Sequence, residues 1–132
     1  MGTSTDHDVV IVGAGSAGCV LAARLSEDPR RRVLLLEAGG PDRDRRVRIP
    51  AAFSELFGSE FDWNYTTVPQ PRLGGRALYW PRGRMLGGSS SLNAMMWVRG
   101  NPGDYDAWEA AGCPGWGYED VLAHFTRSES TA

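Results

Sequence analysis

Apolar and polar positions follow two different rhythms along the chain. Asp8-Val-Val-Ile-Val12 is a nearly unbroken apolar run closed by Gly13, the pattern of a short strand buried on both faces. Residues from Cys19 to Glu27 are rich in Ala and Leu and predict a helix that Pro29 stops. A second apolar run, Val33 to Leu36, ends at Glu37 and is followed by Gly39-Gly40-Pro41, which punctuate the chain. Strand, glycine turn, helix and strand make one βαβ unit, expected to cross over right-handed.

Beyond this unit the rhythm weakens. Pro41 to Arg48 carries charges of alternating sign and predicts a solvated loop. Ala51 to Phe57 reads as a short helix, Phe61 to Pro71 as extended chain, Leu73 to Arg76 as a turn and Ala77 to Trp80 as a short strand. A second glycine-rich segment, Gly83 to Asn93, precedes a helix expected from Asp104 to Ala111. The last helix, Tyr118 to Thr126, places Tyr118, Val121, Leu122 and Phe125 on one face by their spacing. No internal repeat occurs, and the two glycine-rich segments differ in pattern.

A chain of 132 residues is expected to form one domain with a real core. Its net charge of -2 excludes a polybasic nucleic-acid binder resting on electrostatics alone. All 14 basic residues are arginine, which excludes a lysine Schiff base or a P-loop lysine. No apolar run is long enough to span a membrane, and the polar N-terminus is no secretory signal. Cys19 and Cys113 lie far apart with no second pair beside either, so neither a metal site nor a disulfide is indicated. The expected setting is cytoplasmic.

Gly13, Gly15 and Gly18 fit G-x-G-x-x-G between a strand and a helix, the context that gives the pattern its meaning. Gly13 permits the tight turn, Gly15 lets a diphosphate approach the backbone, and Gly18 lets the helix pack close to the strand. The helix N-terminus offers N–H groups and partial positive charge to that diphosphate. Glu37 ends the second strand, where a carboxylate can accept from adenosine ribose hydroxyls and repel a 2′-phosphate. These residues point to an adenine dinucleotide other than NADP and leave FAD and NAD both open.

The run Gly83-Arg-Met-Leu-Gly-Gly-Ser-Ser-Ser-Leu-Asn93 offers small residues with N–H and hydroxyl donors, suited to lying along a ligand. Leu86, Leu92, Met95, Met96 and Trp97 make it too apolar for a free linker. Read through Gly87, Gly88, Ser89, Ser90, Leu92, Asn93, Trp97, Gly100 and Asp106, the segment resembles the signature of the glucose–methanol–choline (GMC) oxidoreductases. Asp62-Trp-Asn-Tyr-Thr-Thr-Val-Pro-Gln-Pro71 and Leu78-Tyr-Trp-Pro-Arg-Gly83 resemble its choline- and alcohol-dehydrogenase branch. The resemblance runs from Asp8 to about Glu129.

It implies an α/β fold, an incomplete Rossmann-like βαβ FAD-binding domain of the p-hydroxybenzoate hydroxylase/GMC type, with a flavin that takes hydride from an alcohol carbon. Gly13, Gly15, Ser16 and Gly18 would line the diphosphate, and Glu37 with Ala38 the ribose. Met85, Leu86, Gly87, Gly88 and Ser89, then Asn93, Ala94, Met95 and Met96, would run beside the diphosphate and flavin, largely through backbone groups. Some members attach FAD through a histidine immediately before this asparagine. Leu92 fills that position, so the resemblance implies non-covalent FAD.

Family members are several times longer, and their histidine base lies near the C-terminus. His7 and His124 are the only histidines, and neither is expected to be catalytic. Without such a base, turnover loses about 10²–10⁴-fold or more in rate. The chain therefore reads as the N-terminal part of a flavin domain, inactive alone, with an alcohol substrate only alongside the missing C-terminal portion. A free-standing dinucleotide module, one piece of a split enzyme and a non-functional truncated product are the alternatives. In the Rossmann order the first strand also needs a fourth strand as neighbour, and none is evident before Ala132. Trp63, Tyr65, Tyr79, Trp80 and Trp97 could form a cage for choline, although their spacing fits ordinary core packing.

Overall fold

A computed structural model describes residues 6–129. Its contacts fall into two compact units, divided after Met95, where the length suggests one domain. In the first unit β1 (Val9–Val12) and β2 (Val33–Leu36) pair in parallel, with Val9 opposite Val33 and Val12 opposite Leu36. Helix α1 (Ser16–Leu25) connects them and packs on both. The expected βαβ unit is present and the fold class is mixed α/β.

Three details of the first unit differ from expectation. Helix α1 begins at Ser16, directly after Gly15, and ends at Leu25. The Ser26 hydroxyl donates to the Ala23 carbonyl (3.1 Å) and the Asp28 carboxylate accepts from the Arg30 N–H (3.0 Å). These local bonds compete with the helix ladder before Pro29 is reached. Strand β1 is not buried on both faces: Ile11 is buried, but Val12 is 83% exposed. Its sheet has two strands among the described residues, so only part of its surface is covered.

The third difference lies in the charged stretch. Arg45–Arg48 forms a one-turn helix, α2, because the Asp44 carboxylate caps it by accepting from the Arg46 N–H (2.8 Å). The Arg46 guanidinium forks back onto Asp44 at 2.9 and 3.0 Å and reaches Glu60 at 3.2 Å, over the ring of Phe61. Hydrogen bonding from Arg46 holds the Asp44 carboxyl down at about 2. A 3₁₀ helix follows from Pro50 to Leu56, with Pro at a position where its missing N–H costs nothing.

Next comes a long hairpin. Strand β3 (Tyr65–Thr66) pairs antiparallel with β4 (Tyr79–Trp80), and single bridges extend the pairing from Asp62–Gly83 to Gln70–Arg76. The expected turn is a 3₁₀ step at Pro71–Leu73 with Gly74 left-handed. Leu56, Met85 and Leu92 form a buried cluster in this unit, with Val47 and Phe61 packed against them.

In the second unit, α3 (Pro102–Ala110) starts two residues before its expected start, capped by the Asn101 side chain on the Gly103 N–H (3.0 Å). Helix α4 (Tyr118–Glu129) turns Tyr118, Val121, Leu122 and Phe125 inward, as their spacing predicts. Tyr105 is the centre of this unit, with ring contacts to Trp108, Tyr118 and Phe125. Glu129 is bound by the Arg99 guanidinium and by the Trp97 indole N–H (3.2 Å), which fastens the end of α4 to residues 97–99.

Candidate functional site

The two glycine-rich segments meet side by side. The Gly87 N–H donates to the Ala14 carbonyl (2.8 Å) and the Leu86 N–H to the Gly40 carbonyl (2.9 Å). The chain from Met85 to Gly88 therefore runs between the turn after β1 and the turn after β2. This approach requires glycine. A Cβ on Gly88, at φ 54°, would come within 2.9 Å of the Gly15 Cα, and one on Gly39 within 2.1 Å of the Arg84 carbonyl oxygen.

Glu37 ties the first turn together. Its Oε2 accepts the Ala14 N–H at 2.8 Å and its Oε1 accepts the Gly39 N–H at 2.8 Å. A carboxylate has about four acceptor sites, so both oxygens keep capacity for a hydroxyl. The start of α1 carries no side-chain cap, and N–H groups of a first helical turn have no intrahelical partner. Gly18 is buried where a Cβ would stand 1.9 Å from the Gly13 carbonyl oxygen, so a bare residue there lets α1 approach the turn.

Between these parts lies a cleft of about 560 Å³, within the range of ligand sites. One side is Val12, Gly13, Gly15, Leu36, Glu37 and Ala38; the other is Trp63, Tyr65, Arg82, Gly83, Gly88 and Ser89. At Gly13 and Gly15 nothing stands within 4 Å of where a Cβ would be, so these positions leave a cradle that side chains would fill. The Ser89 Oγ accepts the Gly83 N–H at 3.2 Å, which leaves its own proton to donate.

Six residues singled out from the sequence thus share the cleft: Gly13, Gly15, Glu37, Ala38, Gly88 and Ser89. Ser16, exposed, and Gly18, buried, follow in α1 and are not among its lining residues. Met85 is 0% exposed, and its side chain is core; its backbone, with those of Leu86 and Gly87, forms the zipper between the turns. The Asn93 N–H donates to the Ser89 carbonyl (2.9 Å) and its Oδ1 accepts the Met95 N–H (2.8 Å), with Met95 left-handed at φ 58°. Asn93, Ala94 and Met95 are exposed and line no part of the cleft. Met96 begins the second unit and is 83% exposed.

The aromatic residues form neither a cage nor a core. Trp63 and Tyr65 stack on one another, 5.9 Å apart and 4° from parallel, while Arg84 covers Trp63 and Arg82 covers Trp80. The Tyr79 hydroxyl donates to Asp62, and Trp97 belongs to the other unit. As cleft-lining residues Trp63, Tyr65 and Arg82 were not legible in the sequence, whereas Gly83 opens the run expected to lie along a ligand. Their common signal was the hairpin, whose bridge between Asp62 and Gly83 brings residues about 20 positions apart onto one wall. His124 is exposed on α4.

The family model described as GMC oxidoreductase matches residues 7–131. An uncharacterized GMC-type oxidoreductase of Mycobacterium tuberculosis is 60% identical over 126 residues, 96% of this chain and 24% of its own length. The mitochondrial choline dehydrogenase of Mus musculus is 49% identical over 132 residues, 94% of this chain and 22% of its own. Among solved structures, the pyridoxine 4-oxidase from Mesorbium loti superposes with a TM-score of 0.85 at 51% identity, covering 91% of this chain and 24% of that one. The chain spans about a quarter of the length of these relatives.

Proposed function

Because the chain belongs to the GMC oxidoreductase family, we propose that its cleft holds the adenosine diphosphate end of a non-covalently bound FAD. The observation that carries this reading is the bare wall at Gly13 and Gly15, with the Glu37 carboxylate fastened across the turn beside it. The glycines admit a diphosphate to the backbone, where the first-turn N–H groups of α1 favour negative charge. Glu37 accepts from the ribose hydroxyls, and Ser89 donates from the facing wall. Ser16 and Gly18 at the start of α1 continue the diphosphate side, the backbone from Met85 to Gly87 joins the two turns, and Asn93 to Met96 continue toward the flavin.

Residues 1–132 are then the N-terminal part of the flavin domain of a longer enzyme. When bound, the flavin supplies the two-electron acceptor for hydride from an alcohol carbon. The whole protein oxidises a CH–OH donor of the choline or alcohol type, as the printed names of several relatives suggest. Non-covalent attachment is supported by Leu92, which is 3% exposed, lies in the core and offers no nucleophile. Exposed free thiols at Cys19 and Cys113 accord with a reducing, cytoplasmic setting.

The test is a visible spectrum of the purified chain, before and after adding FAD and desalting. Retained flavin bands, released into the supernatant on acid precipitation, are the expected result. A chain that stays colourless refutes the cleft assignment, and flavin that stays with the precipitate refutes non-covalent binding.

A further inference from the structure

Asp62 is 5% exposed and does not line the cleft, yet both its oxygens are engaged. Oδ1 accepts the N–H groups of Asn64 (3.0 Å) and Arg82 (2.9 Å). Oδ2 accepts the Gly58 N–H (3.1 Å) and the Tyr79 hydroxyl. Its main chain bridges Gly83, and the next residue, Trp63, donates its N–H to the Arg82 carbonyl (2.9 Å). One carboxylate therefore fastens the turn at 58–64 to the strand end at 79–83. Asn64 sits left-handed at φ 54°, a conformation open to few residues besides glycine and asparagine, and its N–H bond to Asp62 holds it there.

Burial pushes the Asp62 carboxyl up, but the Tyr79 hydroxyl and the three backbone N–H groups outweigh burial and hold it below the usual range. It is thus a charged acceptor surrounded by donors, a pattern that a neutral amide cannot reproduce. The residues it fastens bear on the cleft: Trp63 and Tyr65 from one arm of the hairpin, Arg82 and Gly83 from the other, make up most of one wall.

We infer that Asp62 is the positioning residue for this wall, setting the Trp63–Tyr65 stack and Arg82 against the Gly13–Glu37 side so that the cleft matches its ligand. The inference rests on the reading of the cleft as a dinucleotide site. A residue that only stabilised the fold would change how much protein is folded and leave the affinity of the folded protein unaltered.

The test compares the wild-type chain with Asp62→Asn and with Tyr79→Phe, which removes a single hydroxyl. FAD affinity is measured by equilibrium dialysis at a temperature where circular dichroism finds each chain fully folded. Amide hydrogen exchange is followed in the same samples without FAD. The expected result is a rise in Kd of about tenfold for Asp62→Asn and about threefold for Tyr79→Phe, in line with loss of buried hydrogen bonds. Exchange should quicken at Gly58, Asn64 and Arg82 while Val9 and Gly13, whose N–H groups bond to the Arg32 and Leu36 carbonyls across the β1–β2 pair, keep their protection. Unchanged Kd in folded Asp62→Asn overturns the inference, and if that variant does not fold, Tyr79→Phe decides in the same way. A wild-type chain that takes up no FAD defeats the dinucleotide reading instead; unchanged exchange at Asn64 and Arg82 then still overturns the role of Asp62.

Discussion

Gly15 and Gly18 belong to one motif but should answer to different demands, which makes their alanine variants the sharpest test of the cleft. Gly15 sits at φ -76°, ψ -172°, extended backbone open to any residue, with nothing within 4 Å of a Cβ. Alanine caps a helix less well than glycine, by several tenths of a kcal/mol to about 1. It also lowers the entropy of the unfolded chain, worth about 0.4–1 kcal/mol. The two nearly cancel, so Gly15→Ala should alter stability by less than about 0.5 kcal/mol. Its methyl group would stand on the wall where a diphosphate approaches the backbone. A loss of tenfold or more in FAD affinity is expected, about 1.4 kcal/mol. Gly18→Ala is the opposite case. Its Cβ would fall 1.9 Å from the Gly13 carbonyl oxygen and 3.1 Å from its carbon, so helix and turn must separate by about 1 Å. Overpacking of this kind costs up to about 3 kcal/mol, reduced by about 1 for helix propensity. The net of about 2 kcal/mol should lower Tm by roughly 5–10 °C. Thermal unfolding without FAD and fluorescence titration with FAD separate the two effects. If Gly15→Ala costs as much stability as Gly18→Ala, Gly15 is needed by the fold, and if it leaves FAD affinity unchanged, no diphosphate approaches there; either result defeats the argument from the bare wall.

Other consequences can be measured in the same way. Gly74→Ala should cost only the strain of its left-handed φ of 67°, about 1 kcal/mol. Gly88→Ala adds the clash with the Gly15 Cα and should cost about 2–3 kcal/mol; urea unfolding that finds the two equal refutes the zipper between the glycine segments. Glu37→Gln sets an amide N–H₂ against the N–H of Ala14 or Gly39, leaving one donor without an acceptor. Denaturation should read a loss of about 1–3 kcal/mol, with weaker FAD binding. In the second unit, the bonds from Arg99 and then Trp97 depress the Glu129 carboxyl from 4.5 to about 2. A depressed carboxylate contributes its full stability above its unfolded pKa and loses it as pH falls through the folded one. The fastening of α4 should therefore weaken between about pH 4.5 and 2, followed by Trp97 fluorescence, and Glu129→Gln should remove that step.

Much of the architecture was legible because it rests on local rules. The βαβ unit followed from two apolar runs around a glycine turn, and the inward face of α4 from a 3.6-residue period. The start of α3 was also written in the chain, as an Asn101 cap followed by Pro102, although the apolar pattern alone sets it two residues late. The capping role of Asp44, by contrast, was obscured by the alternating charges around it.

By itself, the sequence determined most of the elements and the chemistry of the first cleft wall. A glycine's freedom, a strand-end acid and an uncapped helix start are properties of neighbours in the chain. Tertiary structure decided the second wall. Trp63, Tyr65, Arg82 and Gly83 become one surface only through the hairpin register and the buried Asp62 carboxylate, bonds between residues about 20 positions apart. The same holds for Met85, which is core by its side chain and zipper by its backbone. Sequence patterns carry the period of an element, whereas the partner opposite it is chosen by which close approaches leave no donor stranded and no Cβ in collision.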